Sequence, residues 1–148
     1  GSQSIEPFKS NYYVKDLAKF KYTFKNPYLE KVLEEKGFNT DETWDSILLK
    51  NGSVQHLSFL SQHEKDVFRT FTEIGAKETV IQAAQRQKYI DQGQSLNLMI
   101  PPDTTTKDIN SLIIYAHASG IKSLYYQHSV NAAQAFYRKL NECSSCEG

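Results

Sequence analysis

The chain has 148 residues, 39% of them hydrophobic and 12% aromatic, which is material for one domain, or one domain with a tail. Seventeen Lys and Arg balance seventeen Asp and Glu at zero formal charge, which argues against a strongly basic nucleic-acid module and an acidic disordered chain. No apolar run approaches the roughly 18–20 residues of a membrane span, and no basic-then-apolar export signal opens the chain, so neither a membrane nor a nucleic acid is expected as a partner.

Gly1-Ser2 reads as the remnant of an expression tag and is left out of the fold argument. Tyr12, Tyr13 and Val14 form a first strand candidate. Phe20, Tyr22 and Phe24 then alternate with Lys19, Lys21, Thr23 and Lys25, the period of a half-buried strand. The short Asp16-Leu17-Ala18 link makes the two a hairpin. Its lysines (Lys9, Lys15, Lys19, Lys21, Lys25) read as a phosphate-attracting patch or, preferably, as the solvated face of an edge hairpin.

Asn26-Pro27 opens a helix, because Asn caps and Pro needs no donor in the first turn. Leu29, Val32 and Leu33 form its stripe and Gly37 stops it. A second helix is expected over 41–50 behind Thr40, with Trp44, Ile47 and Leu48 inward and Asn51-Gly52 ending it. Ser61 and Glu64 form a capping box that opens a third helix carrying Val67, Phe68, Phe71 and Ile74. A fourth helix is expected over 77–92 with Val80, Ile81, Ala84 and Tyr89.

Leu96, Leu98 and Ile100 mark a short strand over 95–100, closed by Pro101-Pro102. A fifth helix follows over 107–119, apolar at Leu112, Ile113, Tyr115 and Ala116, with Gly120 as its stop. Residues 121–127 read as a further strand. Its apolar positions Ile121, Leu124 and Tyr126 do not alternate, as in a strand covered on both faces. Strand, helix and strand over 95–127 make a βαβ unit and favour parallel pairing. A last helix is expected over 129–140. Residues 141–148 lack an apolar anchor and are expected to be mobile.

Three features bear chemistry. The first is Cys143-Ser-Ser-Cys146, which holds both cysteines of the chain and can staple almost nothing where it stands. It reads as half a zinc site, a thioredoxin-type motif, a dithiol on an arm that exchanges with another disulfide, or incidental cysteines. The four histidines lack the spacing of a second zinc half-site, and a polar tail is not the helix start that lowers a thiol pKa. The second is the adjacent pair Tyr125-Tyr126. Neighbours in a regular strand point to opposite faces, so two packing aromatics are the ordinary reading and a redox pair the sharper one. The third is the apolar face of the fifth helix, at Leu112, Tyr115 and Ala116. It is core or a groove for a partner's peptide, and its residue types favour core.

Several motifs then occur in one order: Gln3-Ser-Ile-Glu-Pro7 with Ser10-Asn-Tyr12, Asn51-Gly-Ser-Val-Gln-His56, Tyr89-Ile-Asp-Gln-Gly-Gln-Ser-Leu-Asn-Leu98, Gly120-Ile-Lys-Ser-Leu-Tyr-Tyr126 and Glu142-Cys-Ser-Ser-Cys146. Together they resemble the C-terminal part of the large, catalytic subunit of class I ribonucleotide reductase, from Gln3 to Gly148.

The resemblance implies an α/β fold, the C-terminal fragment of a ten-stranded α/β barrel, with 3–140 in the barrel domain and 141–148 as a mobile redox tail. It implies a thioredoxin-dependent oxidoreductase of deoxyribonucleotide biosynthesis and DNA replication, cytoplasmic, acting on ribonucleoside diphosphates by radical chemistry. Tyr125 and Tyr126 match its last radical relay. Cys143 and Cys146 match the tail dithiol that re-reduces the active-site disulfide and is itself reduced by thioredoxin or glutaredoxin. The small subunit's tail docks in that family beside the helix before the tyrosines, which raises the groove reading of Leu112, Tyr115 and Ala116 above the core reading.

No cofactor is expected in this chain, since the radical metal cofactor belongs to the separate small subunit. The family's radical cysteine, its catalytic Asn and Glu, its disulfide-forming pair and its phosphate loop have no counterparts here. The expectation is therefore a piece, cut or naturally split, that is inactive alone and works with the N-terminal part of the large subunit and with the small subunit. The alternative is a non-catalytic binding module for the small-subunit tail.

Overall fold

Local signals explain most of the element boundaries in the computed structural model, which describes residues 5–17 and 20–129. The chain divides into two units, joined between Glu73 and Ile74.

In the first unit β1 (Tyr12–Leu17) pairs antiparallel with β2 (Phe20–Lys25), with Tyr12 opposite Lys25 and Tyr13 opposite Phe24. Helix α1 (Pro27–Lys36) begins where the Asn26 side chain accepts the Tyr28 N–H at 3.1 Å. It ends at Gly37, whose φ of 76° lets the Phe38 N–H return to the Leu33 carbonyl at 2.8 Å. Thr40 caps α2 (Asp41–Leu49), and both halves of the Ser61–Glu64 capping box are formed at α3 (Gln62–Val67).

Leu29, Leu33, Trp44, Ile47, Val54, Leu57, Leu60 and Phe68 make one core, with Tyr12, Val32 and Phe59 against it. Leu48, expected inward, is 39% exposed. Asn11 ties the unit together: its Nδ2 donates to the carbonyls of Gly52 (2.9 Å) and Phe68 (2.7 Å), and its Oδ1 accepts from Asn26 Nδ2 (2.8 Å). Gly52 has φ +81°, and a Cβ there would overlap Ser10, so the close approach of these two segments needs glycine.

The expected third helix is broken in two. The Phe71 N–H leaves the helical ladder for the Phe8 carbonyl at 2.8 Å. Thr70 starts a new turn by donating its N–H (2.8 Å) and hydroxyl (2.9 Å) to Glu73. The result is the short α4 (Phe71–Ile74), and Val67, one of the apolar residues of the expected third helix, is 60% exposed.

The second unit holds α5 (Ala76–Gln87), β3 (Leu98–Met99), α6 (Thr106–Ala118) and β4 (Gln127–His128). Helix α5 stops at Gln87, short of the expected 92. There the Gln87 side chain donates to the carbonyls of Ile90 (3.0 Å) and Gln92 (2.8 Å), and the following turn closes on i−3 bonds. Tyr89, expected on the helix's apolar side, therefore lies exposed.

β3 and β4 are parallel, Leu98 with Gln127 and Met99 with His128, and α6 lies between them in sequence, as the βαβ reading requires. Val80, Ala83, Leu96, Leu98, Ile100, Ala116 and Ile121 form this unit's core. β3 is shorter than the expected 95–100, and β4 starts only at Gln127, the last residue of the expected 121–127, so residues 121–126 with both tyrosines lie outside a regular strand. Among the described residues the sheets are two-stranded and open. Residues 130–140 of the expected last helix and the tail 141–148 lie outside the described residues.

Candidate functional site

The tyrosine pair stands where the chain leaves α6 and returns to β3. Gly120, at φ +80°, turns the chain, and the Ile121 N–H bonds back to the Ala116 carbonyl at 3.1 Å. Buried Ile121 then anchors the segment in the core. Three further ties fasten it to residues 90–97. Lys122 Nζ donates to the carbonyls of Asp91 (2.6 Å) and Ile90 (3.3 Å). Ser123 Oγ donates to the Gln94 carbonyl at 2.9 Å, and a Cβ on Gly93 would meet that hydroxyl at 2.5 Å. Gln94 is itself held, its Nε2 donating to the Ala83 carbonyl (2.9 Å) and to Gln87 Oε1 (3.1 Å), while Arg86 Nε donates to its Oε1 at 3.3 Å.

On this support the rings of Tyr125 and Tyr126 lie with centroids 4.1 Å apart, tilted by 58°, and the Tyr125 hydroxyl donates to that of Tyr126 at 3.4 Å. Two ordinary strand neighbours do not meet in this way. The hydrogen bond to Tyr126, with a smaller contribution from burial, raises the Tyr125 phenol above the usual tyrosine range. Both tyrosines are more than half exposed, against the expectation of a strand covered on both faces. The backbone around them is tied by Tyr125 N–H to Leu96 O (2.9 Å), Leu98 N–H to Tyr126 O (2.9 Å) and Tyr126 N–H to Asn97 Oδ1 (3.1 Å). Sequence reasoning did not single out Gln87, Gln94 or Asn97. Their only signal was their place in or beside the Tyr89–Leu98 motif.

The α6 residues divide by position. Ala116 is buried in the core and serves the helix's own packing, so it is not a surface contact. Leu112 is half-buried against the same core. Tyr115 reaches the surface, with Lys77 Nζ 5.2 Å from its ring centre, and Ile113 and Ile114 are exposed beside it. Thr105 caps this helix by accepting the Asp108 N–H at 3.1 Å.

In the first unit, Lys9 and Lys15 line a groove of about 840 Å³ with Phe8, Tyr13, Tyr22 and Phe24. Lys25 instead lies over the rings of Tyr12 (5.9 Å) and Trp44 (5.0 Å). Cys143 and Cys146 lie outside the described residues. Among the described residues no cluster of His, Cys, Asp or Glu suited to a metal occurs, and no helix is long and apolar enough to cross a membrane.

Comparison with known proteins places these features in a family. The family described as "Ribonucleotide reductase, barrel domain" matches residues 1–127. The ribonucleoside-diphosphate reductase large subunit of Invertebrate iridescent virus 6 is 42% identical over 139 residues, covering 90% of this chain and 14% of that protein. A putative large subunit of Frog virus 3 is 37% identical, covering 99% of this chain and 27% of that protein. Among solved structures, the Actinobacillus ureae class Id ribonucleotide reductase alpha subunit superposes with a TM-score of 0.78 at 53% identity, covering 88% of this chain and 23% of that one. The chain thus spans about a quarter or less of the length of these relatives.

Proposed function

The chain belongs to the ribonucleotide reductase barrel-domain family, and we propose that it serves as the piece of a ribonucleoside-diphosphate reductase large subunit that carries the radical relay and the tail dithiol. The observation that carries this reading is the contact of Tyr125 and Tyr126, rings 4.1 Å apart and hydroxyls 3.4 Å apart. In a relay step, one phenol gives up an electron and a proton as the neighbouring phenoxyl radical takes up one of each, so the radical moves and nothing is consumed. The hydroxyl-to-hydroxyl contact is the path such a transfer needs. Solvent at both rings fits a pair completed by other protein: on one side the small subunit that makes the radical at its own metal cofactor, on the other the remaining part of the large subunit that holds the ribonucleoside diphosphate.

Cys143 and Cys146 would then return two electrons and two protons to the disulfide that each substrate reduction leaves behind. They become a disulfide themselves, for thioredoxin or glutaredoxin to reduce. From Gln127 to Glu142 a fully extended chain spans roughly 50 Å, the upper bound on that shuttle's reach. On this reading the chain is inactive alone.

The test is reconstitution with the remaining part of a large subunit and a small subunit. Turnover should appear on mixing, and Tyr126→Phe should abolish it, because a phenyl ring cannot carry the radical at a tyrosine's potential. Full turnover in that variant would remove the relay role. Cys143→Ser should stop repeated turnover driven by thioredoxin and leave a single turnover, or turnover with a small dithiol, intact. Persistence of thioredoxin-driven turnover would remove the shuttle role. A second reading, a non-catalytic module that binds the small-subunit tail, is favoured by the exposed Ile113, Ile114 and Tyr115 of α6. Binding of that tail with no reconstitution would support it over the first.

A further inference from the structure

The ladder between β3 and the tyrosine segment slips by one residue. Leu98 pairs with Gln127 and bonds the residue before its partner, giving its N–H to the Tyr126 carbonyl. Carried back two residues, the same register pairs Leu96 with Tyr125 and assigns the Leu96 carbonyl to the N–H after that partner, the N–H of Tyr126. That carbonyl takes the N–H of Tyr125 instead, at 2.9 Å. The slip has the form of a bulge, a device that re-aims side chains beside functional sites. It displaces the Tyr126 N–H from its ladder acceptor, and the Asn97 side chain supplies another, Oδ1 at 3.1 Å.

We infer that Asn97 is a positioning residue for the tyrosine pair: by accepting the Tyr126 N–H it holds the one-residue slip that brings both rings to one side. Without the slip, adjacent side chains would point to opposite faces, and the hydroxyl contact would be lost. Asn97 stands between Leu96 and Leu98, whose side chains are in the core and whose backbones hold the two flanking bonds, so its own side chain is the one available to reach across. The Ser123–Gln94 and Lys122–Asp91 bonds fix the approach of the segment, and Asn97 selects the register at its end.

The inference rests on the relay reading of Tyr125 and Tyr126, and three variants of the reconstituted reductase separate the two. Asn97→Ala should lower kcat by about 10- to 100-fold, the cost of roughly an ångström of misplacement, with the KM for the ribonucleoside diphosphate unchanged within twofold and the thermal midpoint close to that of the parent. Asn97→Asp keeps an acceptor oxygen in place and should recover most of kcat. Tyr126→Phe reports on the relay alone and should be inactive. Parent-like kcat in Asn97→Ala overturns the positioning role. So does an equal loss in Asn97→Ala and Asn97→Asp, and so does a loss in which KM and the thermal midpoint fall into line with kcat, the signature of general unfolding. If Tyr126→Phe turns over normally, the relay reading fails, and the positioning role falls with it whatever the Asn97 variants do.

Discussion

Asparagines join segments that are distant in sequence. Asn11 reaches Gly52 and Phe68 and receives Asn26, and it is itself only 3% exposed. Asn11→Ala removes the side-chain partner of the Phe68 carbonyl and of the Asn26 amide, while the Gly52 carbonyl keeps the Asn11 backbone N–H at 3.3 Å, and should cost about 2–4 kcal/mol, since each buried polar group left unpaired costs about 1–3 kcal/mol. Urea unfolding of the chain should show the midpoint falling accordingly. An unchanged midpoint would mean that the bonds carry no net stability. The residue types of such hubs were visible in the sequence, and their partners were not. Asn11 and Asn26 stood beside a strand and at a helix cap, and only the cap had a local signature. Asn97 is the same kind of residue at the candidate site: its bond to Tyr126 spans 29 positions, a distance at which no spacing rule operates.

Helix boundaries followed local chemistry where that chemistry was complete. The Asn26 cap, the Gly37 stop, the Thr40 cap and the Ser61–Glu64 box all formed, because each is satisfied within one turn of chain. Boundaries moved where a distant group competed. The Phe8 carbonyl took the Phe71 amide and split the third helix, and the Gln87 side chain took the carbonyls of Ile90 and Gln92 and ended the fourth. Helix α6 shows the same limit on one element's two faces. Its composition marked Leu112, Tyr115 and Ala116, yet packing put Ala116 in the core and left Ile113 and Ile114 outside. If this face receives the small-subunit tail, Ile114→Asp should weaken binding of the tail peptide at least about tenfold, as a charge replaces apolar contact surface. Fluorescence anisotropy with a labelled peptide and the reconstituted large subunit would measure it, and parent-like affinity would place the docking surface elsewhere.

At the scale of the whole molecule, the chain covers only 14–27% of its viral relatives' length, and its described strands form two open pairs. A complete eight-stranded parallel barrel takes roughly 200 residues or more, so on the proposed reading these strands take their neighbours from the remaining part of a large subunit. Mixed with that part, the chain should co-elute with it in size exclusion as a complex of the summed mass, and separate elution would argue against assembly of a barrel from the two. The sequence alone determined what lies within reach of one turn or one strand period: the caps and stops, the hairpin alternation, the βαβ order over 95–127, and the motif set that marks the family. The tertiary structure decided which residues meet. It broke the third helix, shortened the fourth, turned Ala116 inward, and brought two adjacent tyrosines to one side through a slip in the ladder. The physical reason is common to all of these. Each depends on a hydrogen bond or a packing contact between segments that sequence order leaves far apart, and such contacts are chosen by the fold as a whole.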